Sequence, residues 1–119
     1  MKRSDLEFVE YVLDQLGRPR GVSVRAMFGG HGFYLDTLMF GIAWKGRFFL
    51  KVDESMRRAF QDDGMDAFEP SGTQRMESYY QVPPDVLEDM PDLKRWSTRA
   101  MQVVRAAKPP GRPRLDKNR

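Results

Sequence analysis

Arg25-Ala-Met-Phe-Gly-Gly-His-Gly-Phe-Tyr-Leu-Asp-Thr-Leu-Met-Phe-Gly-Ile-Ala-Trp-Lys-Gly-Arg-Phe-Phe-Leu-Lys-Val-Asp53 is the stretch that decides the fold. Short apolar and aromatic runs are interrupted at Gly29-Gly30-His31-Gly32, at Asp36-Thr37 and at Lys45-Gly46. That spacing belongs to strands joined by tight turns. It predicts strands over 22–28, 32–35, 38–44 and 47–52, the last three as a meander. The stretch holds one histidine and no cysteine, so it reads as a scaffold that binds something rather than one that transforms it.

Helical patterns flank this block. On its amino-terminal side Ser4 and Glu7 have capping-box spacing, and Leu6, Val9, Val12, Leu13 and Leu16 then recur at helical intervals until Gly17 and Pro19 stop the run. On its other side Asp53 is placed to cap a helix from Glu54 to about Asp62, with Met56, Ala59 and Phe60 inward and Gly64 closing it. Ala67 to Pro70 and Met76 to Val82 read as two further strands. Pro84 suits the first turn of a short helix through Asp89. Pro91 and Asp92 are expected to open a last helix striped by Leu93, Trp96, Ala100, Val103, Val104 and Ala107, ended by Pro109-Pro110. No crossover helices separate the strands from Val22 to Val52, which argues for α+β rather than parallel α/β. The expected architecture is a two-layer sandwich: an antiparallel sheet of about five strands under the first and last helices, with one shorter helix between strands.

The chain has 119 residues, one domain's worth. Residues 1–105 read as that domain and 106–119 as a basic tail rich in proline, glycine and arginine. Cysteine is absent, which removes disulfides and thiolate chemistry. No apolar run reaches the roughly 20 residues that span a bilayer, and the first residues lead into an amphipathic segment. The expectation is a cytoplasmic protein without membrane contact. Charge is uneven. Arg105 to Arg119 holds six basic residues and one acidic; with totals of 20 and 17, residues 1–104 keep 14 and 16, a net charge of −2. Polyanion affinity is therefore expected in the tail rather than in the body.

Four ordered motifs carry a resemblance: Arg25-x-Met27-Phe28-Gly29-Gly30-x-Gly32-x-Tyr34, then Met39-Phe40-Gly41, Leu50-Lys51-Val52-Asp53, and Met76-x-Ser78-Tyr79-Tyr80-x-Val82-Pro83. Together they resemble the TfoX (Sxy) amino-terminal domain family from about Asp5 to Val104. The resemblance implies a small α+β domain and, for the family's named members, regulation of competence genes alongside the cyclic-AMP receptor protein. Those members carry a further carboxyl-terminal domain, where this chain has its short basic tail, so it resembles a stand-alone amino-terminal module. Arg25, Met27, Phe28, Gly29, Gly30, Gly32, Tyr34, Gly41, Lys51, Tyr79, Tyr80 and Pro83 are the motif residues that this resemblance singles out.

Chemistry is thinly represented among them. Gly29, Gly30 and Gly32 have the composition of a phosphate cradle, but no Lys-Ser or Lys-Thr pair follows, and a hairpin turn with positive φ is the simpler reading. His31 stands in that turn, where an imidazole is expected to be exposed and idle; a metal site needs two or three more ligands than the motif offers. Arg25 is expected to leave the sheet towards a carboxylate such as Glu77 or towards an anionic ligand, the ion pair being the simpler outcome. Tyr79 and Tyr80 alternate across a strand, so one ring faces inward, and the other forms an adhesive patch with Phe33 or Trp44. The carboxylates sit at helix ends, where the dipole favours them. No catalytic residue, cofactor or metal is expected.

The tail supplies the rival reading. Lys108-Pro109-Pro110-Gly111-Arg112-Pro113-Arg114 is similar to the AT-hook, whose Gly-Arg-Pro core lies in the minor groove of A·T-rich DNA. Pro110 stands where that motif has an arginine, and the plainer reading is a disordered solubilising end. The leading expectation is thus a non-enzymatic regulatory module working through protein contacts, with the transcription machinery or a second copy of itself as partner. The alternative is a DNA-associated protein held by Lys108, Arg112, Arg114 and Lys117.

Overall fold

A computed structural model describes residues 3–27, 29–72 and 74–107. The chain is α+β, as its patterning predicts. In order it forms α1 (Arg3–Leu16), β1 (Val22–Met27), β2 (Gly30–Leu35), β3 (Leu38–Trp44), β4 (Arg47–Lys51), α2 (Glu54–Asp62), β5 (Ala67–Ser71), β6 (Gln74–Gln81), α3 (Pro84–Leu87) and α4 (Met90–Ala106). One antiparallel sheet has the order β1-β2-β3-β4-β6-β5. It contains six strands rather than about five, because both segments after α2 join it. The chain leaves β4 through α2, reaches the far edge as β5 and returns as β6 between β5 and β4.

Local chemistry accounts for the boundaries. The Asp53 carboxylate accepts the Met56 N–H at 2.8 Å, the N-cap that the sequence predicts for α2. Asp89 caps α4 in the same way, accepting from the Asp92 N–H at 3.0 Å, so this helix starts before Pro91. The first helix begins at Arg3, which places Ser4 within its first turn and not ahead of it. Lys45 and Gly46 both take positive φ, 51° and 74°, as a two-residue hairpin matched to strand twist requires. The turn between β1 and β2 is tighter than expected. Met27 pairs with Gly30, and of the three motif glycines only Gly29 has positive φ, so Gly30, His31 and Gly32 belong to β2.

That shift of register buries His31, which is only 6% exposed and shares β2's helix-facing side with Phe33 and Leu35. The exposure expected for this imidazole from the sequence is therefore incorrect, because a strand rather than a turn holds it. The core lies between the sheet and the helices. Val9, Val12 and Leu16 of α1, with Leu93, Ala100 and Val104 of α4, cover Phe33, Phe40, Phe48, Leu50 and Tyr80. Phe33 meets Phe48 edge-on at 5.2 Å, a geometry that aligns ring edge with ring face. A β-bulge places Phe40 as the extra residue of β3 between the pairs Phe33–Gly41 and Tyr34–Met39. Gly41 is small of necessity: a Cβ there would stand 2.9 Å from the Phe48 ring. Gln15 of α1 donates to the Leu87 carbonyl at 2.9 Å and ties α1 to α3.

Candidate protein-interaction face

Strand alternation sends a second set of side chains away from the helices. Ile42, Phe49, Phe68 and Tyr79 form a separate buried cluster there, with Met27, Met39, Trp44 and Met76 half-buried around it. Phe68 closes it from the β5 edge, edge-on to Trp44 at 5.5 Å and to Phe49 at 5.0 Å. The face opposite α1 and α4 is thus an apolar floor, self-covered by aromatic and methionine side chains.

Tyr79 straps this floor together. Its hydroxyl donates to the Met39 carbonyl at 2.8 Å, although β6 and β3 are separated by β4, so the side chain spans β4 from one neighbour to the other. Burial pushes the phenol up to about 12, and interaction with Tyr34 adds to the rise. Tyr80, one residue on, turns to the helical side; its hydroxyl accepts from Gln61 at 2.8 Å and donates to Glu77 at 3.2 Å. The expected inward and outward pair of tyrosines is present. Phe33 does not join the outward patch, being fully buried beneath the helices, whereas Trp44 does.

Three cations lie over rings on or beside this floor. Arg25 stands 5.1 Å from the Tyr34 ring centre, Lys45 4.6 Å from Trp44 and Lys51 5.2 Å from Tyr79. Among the described residues none of the three is in a salt bridge. The expected Arg25–Glu77 ion pair is absent because β2, β3 and β4 separate β1 from β6; Glu77 pairs instead with Arg75, at 2.5 Å, and that hydrogen bond holds the Glu77 carboxyl below its ordinary range. Gly32 forms part of the floor. A Cβ at that position would meet the sulfurs of Met27 and Met39 at 2.8 and 2.9 Å and the Tyr34 ring at 3.0 Å.

Of the motif residues, Arg25, Met27, Gly32, Tyr34, Lys51 and Tyr79 converge on this face from four strands. Gly30 contacts it through Trp44. Gly41 and Tyr80 serve the helical side, Gly29 the turn, and Pro83 the entry to α3, where it is the N-cap. Phe28 and the tail cations Lys108, Arg112, Arg114 and Lys117 lie outside the described residues. Sequence reasoning missed Phe68, Ile42, Phe49 and Lys45 as members of the face. Phe68 was within reach, since it alternates with Ala67 on a predicted strand, but which face it takes depends on pairing with β6.

Hollow regions lie elsewhere and are open. One groove of about 460 Å³ runs between Asp53, Arg99 and the end of α4, and another of about 400 Å³ lies between α1, the β3–β4 hairpin and α3. The space beside His31 is about 10 Å³, room for roughly one water. Among the described residues no three His, Cys, Asp or Glu side chains gather as metal ligands, and no helix is long and apolar enough to cross a membrane.

A search of curated proteins finds no match to the chain. The model of the TfoX N-terminal domain matches residues 14–104, a span that takes in all six strands, α2, α3 and most of α4. With most of its length covered, including every residue of the sheet face just described, the chain belongs to the TfoX N-terminal domain family.

Proposed function

We propose that this chain is a non-enzymatic regulatory domain that acts by binding another protein on the open face of its sheet, in the competence-related manner of its family's regulators. The convergence of Arg25, Met27, Gly32, Tyr34, Lys51 and Tyr79 on that face carries the reading. Residues dispersed over more than fifty positions of sequence meet on one surface, and several have no structural need to be what they are: an exposed arginine over a tyrosine does little for a core. A fixed platform whose polar atoms are few and whose apolar atoms are adaptable fits recognition, not turnover.

The test is genetic and biochemical together. Cells lacking the protein are complemented with the native chain or with Arg25→Glu/Lys51→Glu, and transcripts are compared. Loss of regulation by a variant that is folded and present at native levels supports the reading; full regulation by it refutes it. A reproducible turnover abolished by His31→Ala overturns the non-enzymatic part.

A further inference from the structure

Resting on the reading of the sheet face as a docking surface, we propose that its occupant is an acidic amphipathic segment of a partner protein, with apolar side chains on the methionine floor and carboxylates towards Arg25, Lys45 and Lys51.

The body of the protein carries a small net negative charge, yet several of its cations are already engaged by carboxylates. Arg18, Arg57, Arg58, Arg95 and Arg99, on or beside the helices, are each within salt-bridge distance of an aspartate or glutamate. At the β5–β6 edge Arg75 holds Glu69 and Glu77. Among the described residues Arg25, Lys45 and Lys51 over the rings have no such partner, which leaves them available to carboxylates from outside. Their placement is suited to that. Each is held near a ring rather than free in solvent, which lowers the rotamer entropy lost when a carboxylate arrives.

The floor narrows the choice further. Met27, Met39 and Met76 are half-buried and unbranched, able to repack around apolar side chains of varied shape. A single-stranded nucleic acid also brings negative charge, but it binds such sheets by stacking bases on free aromatic faces. Here Tyr34, Trp44 and Tyr79 each have a cation over the ring, and Tyr79 is 7% exposed and fixed by its hydroxyl. A second copy meeting face to face would set like charges against each other. An acidic, apolar peptide meets both the floor and the cations without either conflict.

The experiment uses the full chain with methyl-labelled methionine. The probe is a 16-residue peptide of alternating-face design, with Leu and Phe on one side and Asp and Glu on the other. It is compared with a peptide carrying Lys at every acidic position and with a 20-nucleotide oligo-dT. The acidic peptide is expected to shift the Met27, Met39 and Met76 methyls. Its affinity should fall tenfold or more in Arg25→Glu/Lys51→Glu, fall less in Arg25→Gln/Lys51→Gln, and weaken with salt. Equal binding of the basic peptide, shifts confined to the helices, oligo-dT perturbing the same methyls more strongly, or concentration-dependent self-association that occupies the face would each overturn the proposal. If the peptide fails while charge reversal still abolishes regulation in cells, the acidic occupant is wrong and the docking face stands. If charge reversal leaves regulation intact, the face itself is wrong.

Discussion

Replacing Tyr79 by phenylalanine isolates the strap across β4 and makes its contribution depend on pH. At neutral pH the variant loses the hydroxyl's bond to the Met39 carbonyl, 2.8 Å long and almost excluded from water, at a cost of about 1.5 kcal/mol. The native phenol has a folded pKa of about 12 against an ordinary 10.0. A raised value means that the folded state holds the proton more tightly. The associated stability is complete below pH 10 and is lost as pH rises through 12. Two units correspond to at most about 2.7 kcal/mol, and partial solvent access to the ring reduces this to roughly 1.5. Native and variant proteins should therefore differ by about 1.5 kcal/mol at pH 8 and converge near pH 12. Urea unfolding followed by tryptophan fluorescence, from pH 8 to pH 12, reads the difference directly, since ionisation of other groups is common to both proteins and cancels. A gap that stays constant with pH, or no gap at pH 8, refutes the strap.

Five other substitutions probe separate parts of the argument. Phe68→Ala should cost about 3–5 kcal/mol by emptying the cluster on the open face, and a loss below about 1.5 kcal/mol in denaturant unfolding would mean that this cluster is not a second core. Gly30→Ala places a Cβ 2.5 Å from the Ala43 carbonyl oxygen, so it should destabilise by about 1–3 kcal/mol, whereas Gly29→Ala meets no neighbour and is penalised only for its φ of 78°; thermal melts of the two rank them. Ser97 is buried in α4 with no hydrogen-bond partner for its hydroxyl among the described residues, and Ser97→Ala should raise stability by about 1 kcal/mol, a gain of roughly 4–8 °C in Tm. Asp53→Ala should cost about 1 kcal/mol at pH 7; because the Met56 N–H holds the native carboxyl below its ordinary value, the native advantage is present above about pH 4 and fades as the pH falls below it, which a melt series down to pH 2 checks.

Much of this architecture was readable before any coordinates, for physical reasons that differ by element. Period-two apolar runs and punctuating turns locate strands because side-chain alternation and positive φ are local properties, as Lys45-Gly46 demonstrates. Asp53 was recognisable as a cap because its partner is three residues away. The errors begin where pairing decides. Placing Gly30 to Gly32 in a turn was reasonable from composition, but Met27 pairs with Gly30, and this shift of two residues converts His31 from a loop residue into a buried strand residue. Arg25 could be seen to leave the sheet, yet whether Glu77 or Tyr34 received it depended on the strand order, which sets β1 beside β2 and puts three strands between β1 and β6. Membership of the candidate face was legible only in part, through the motifs, since Phe68 and the bond from Tyr79 to Met39 join segments some 19 to 40 positions apart.

The same distinction between local and paired information bears on charge. Summed along the sequence, residues 1–104 are slightly acidic, which directs any search for an anionic partner to the tail. A sum is blind to which carboxylates are already engaged. Arg18, Arg57, Arg58, Arg95 and Arg99 are matched with acids, whereas on the sheet face Arg25, Lys45 and Lys51 stand over three aromatic rings with no salt bridge among the described residues. A partner approaching within about 8–10 Å, the distance over which salt leaves a field effective, meets that local surplus and not the molecular total. Net charge therefore gives the wrong sign for this surface, and an acidic segment can be drawn to a domain whose overall charge would repel it. The salt dependence of peptide binding separates the cases: attraction governed by the face weakens as salt rises, whereas repulsion governed by the whole body would be relieved and binding would strengthen.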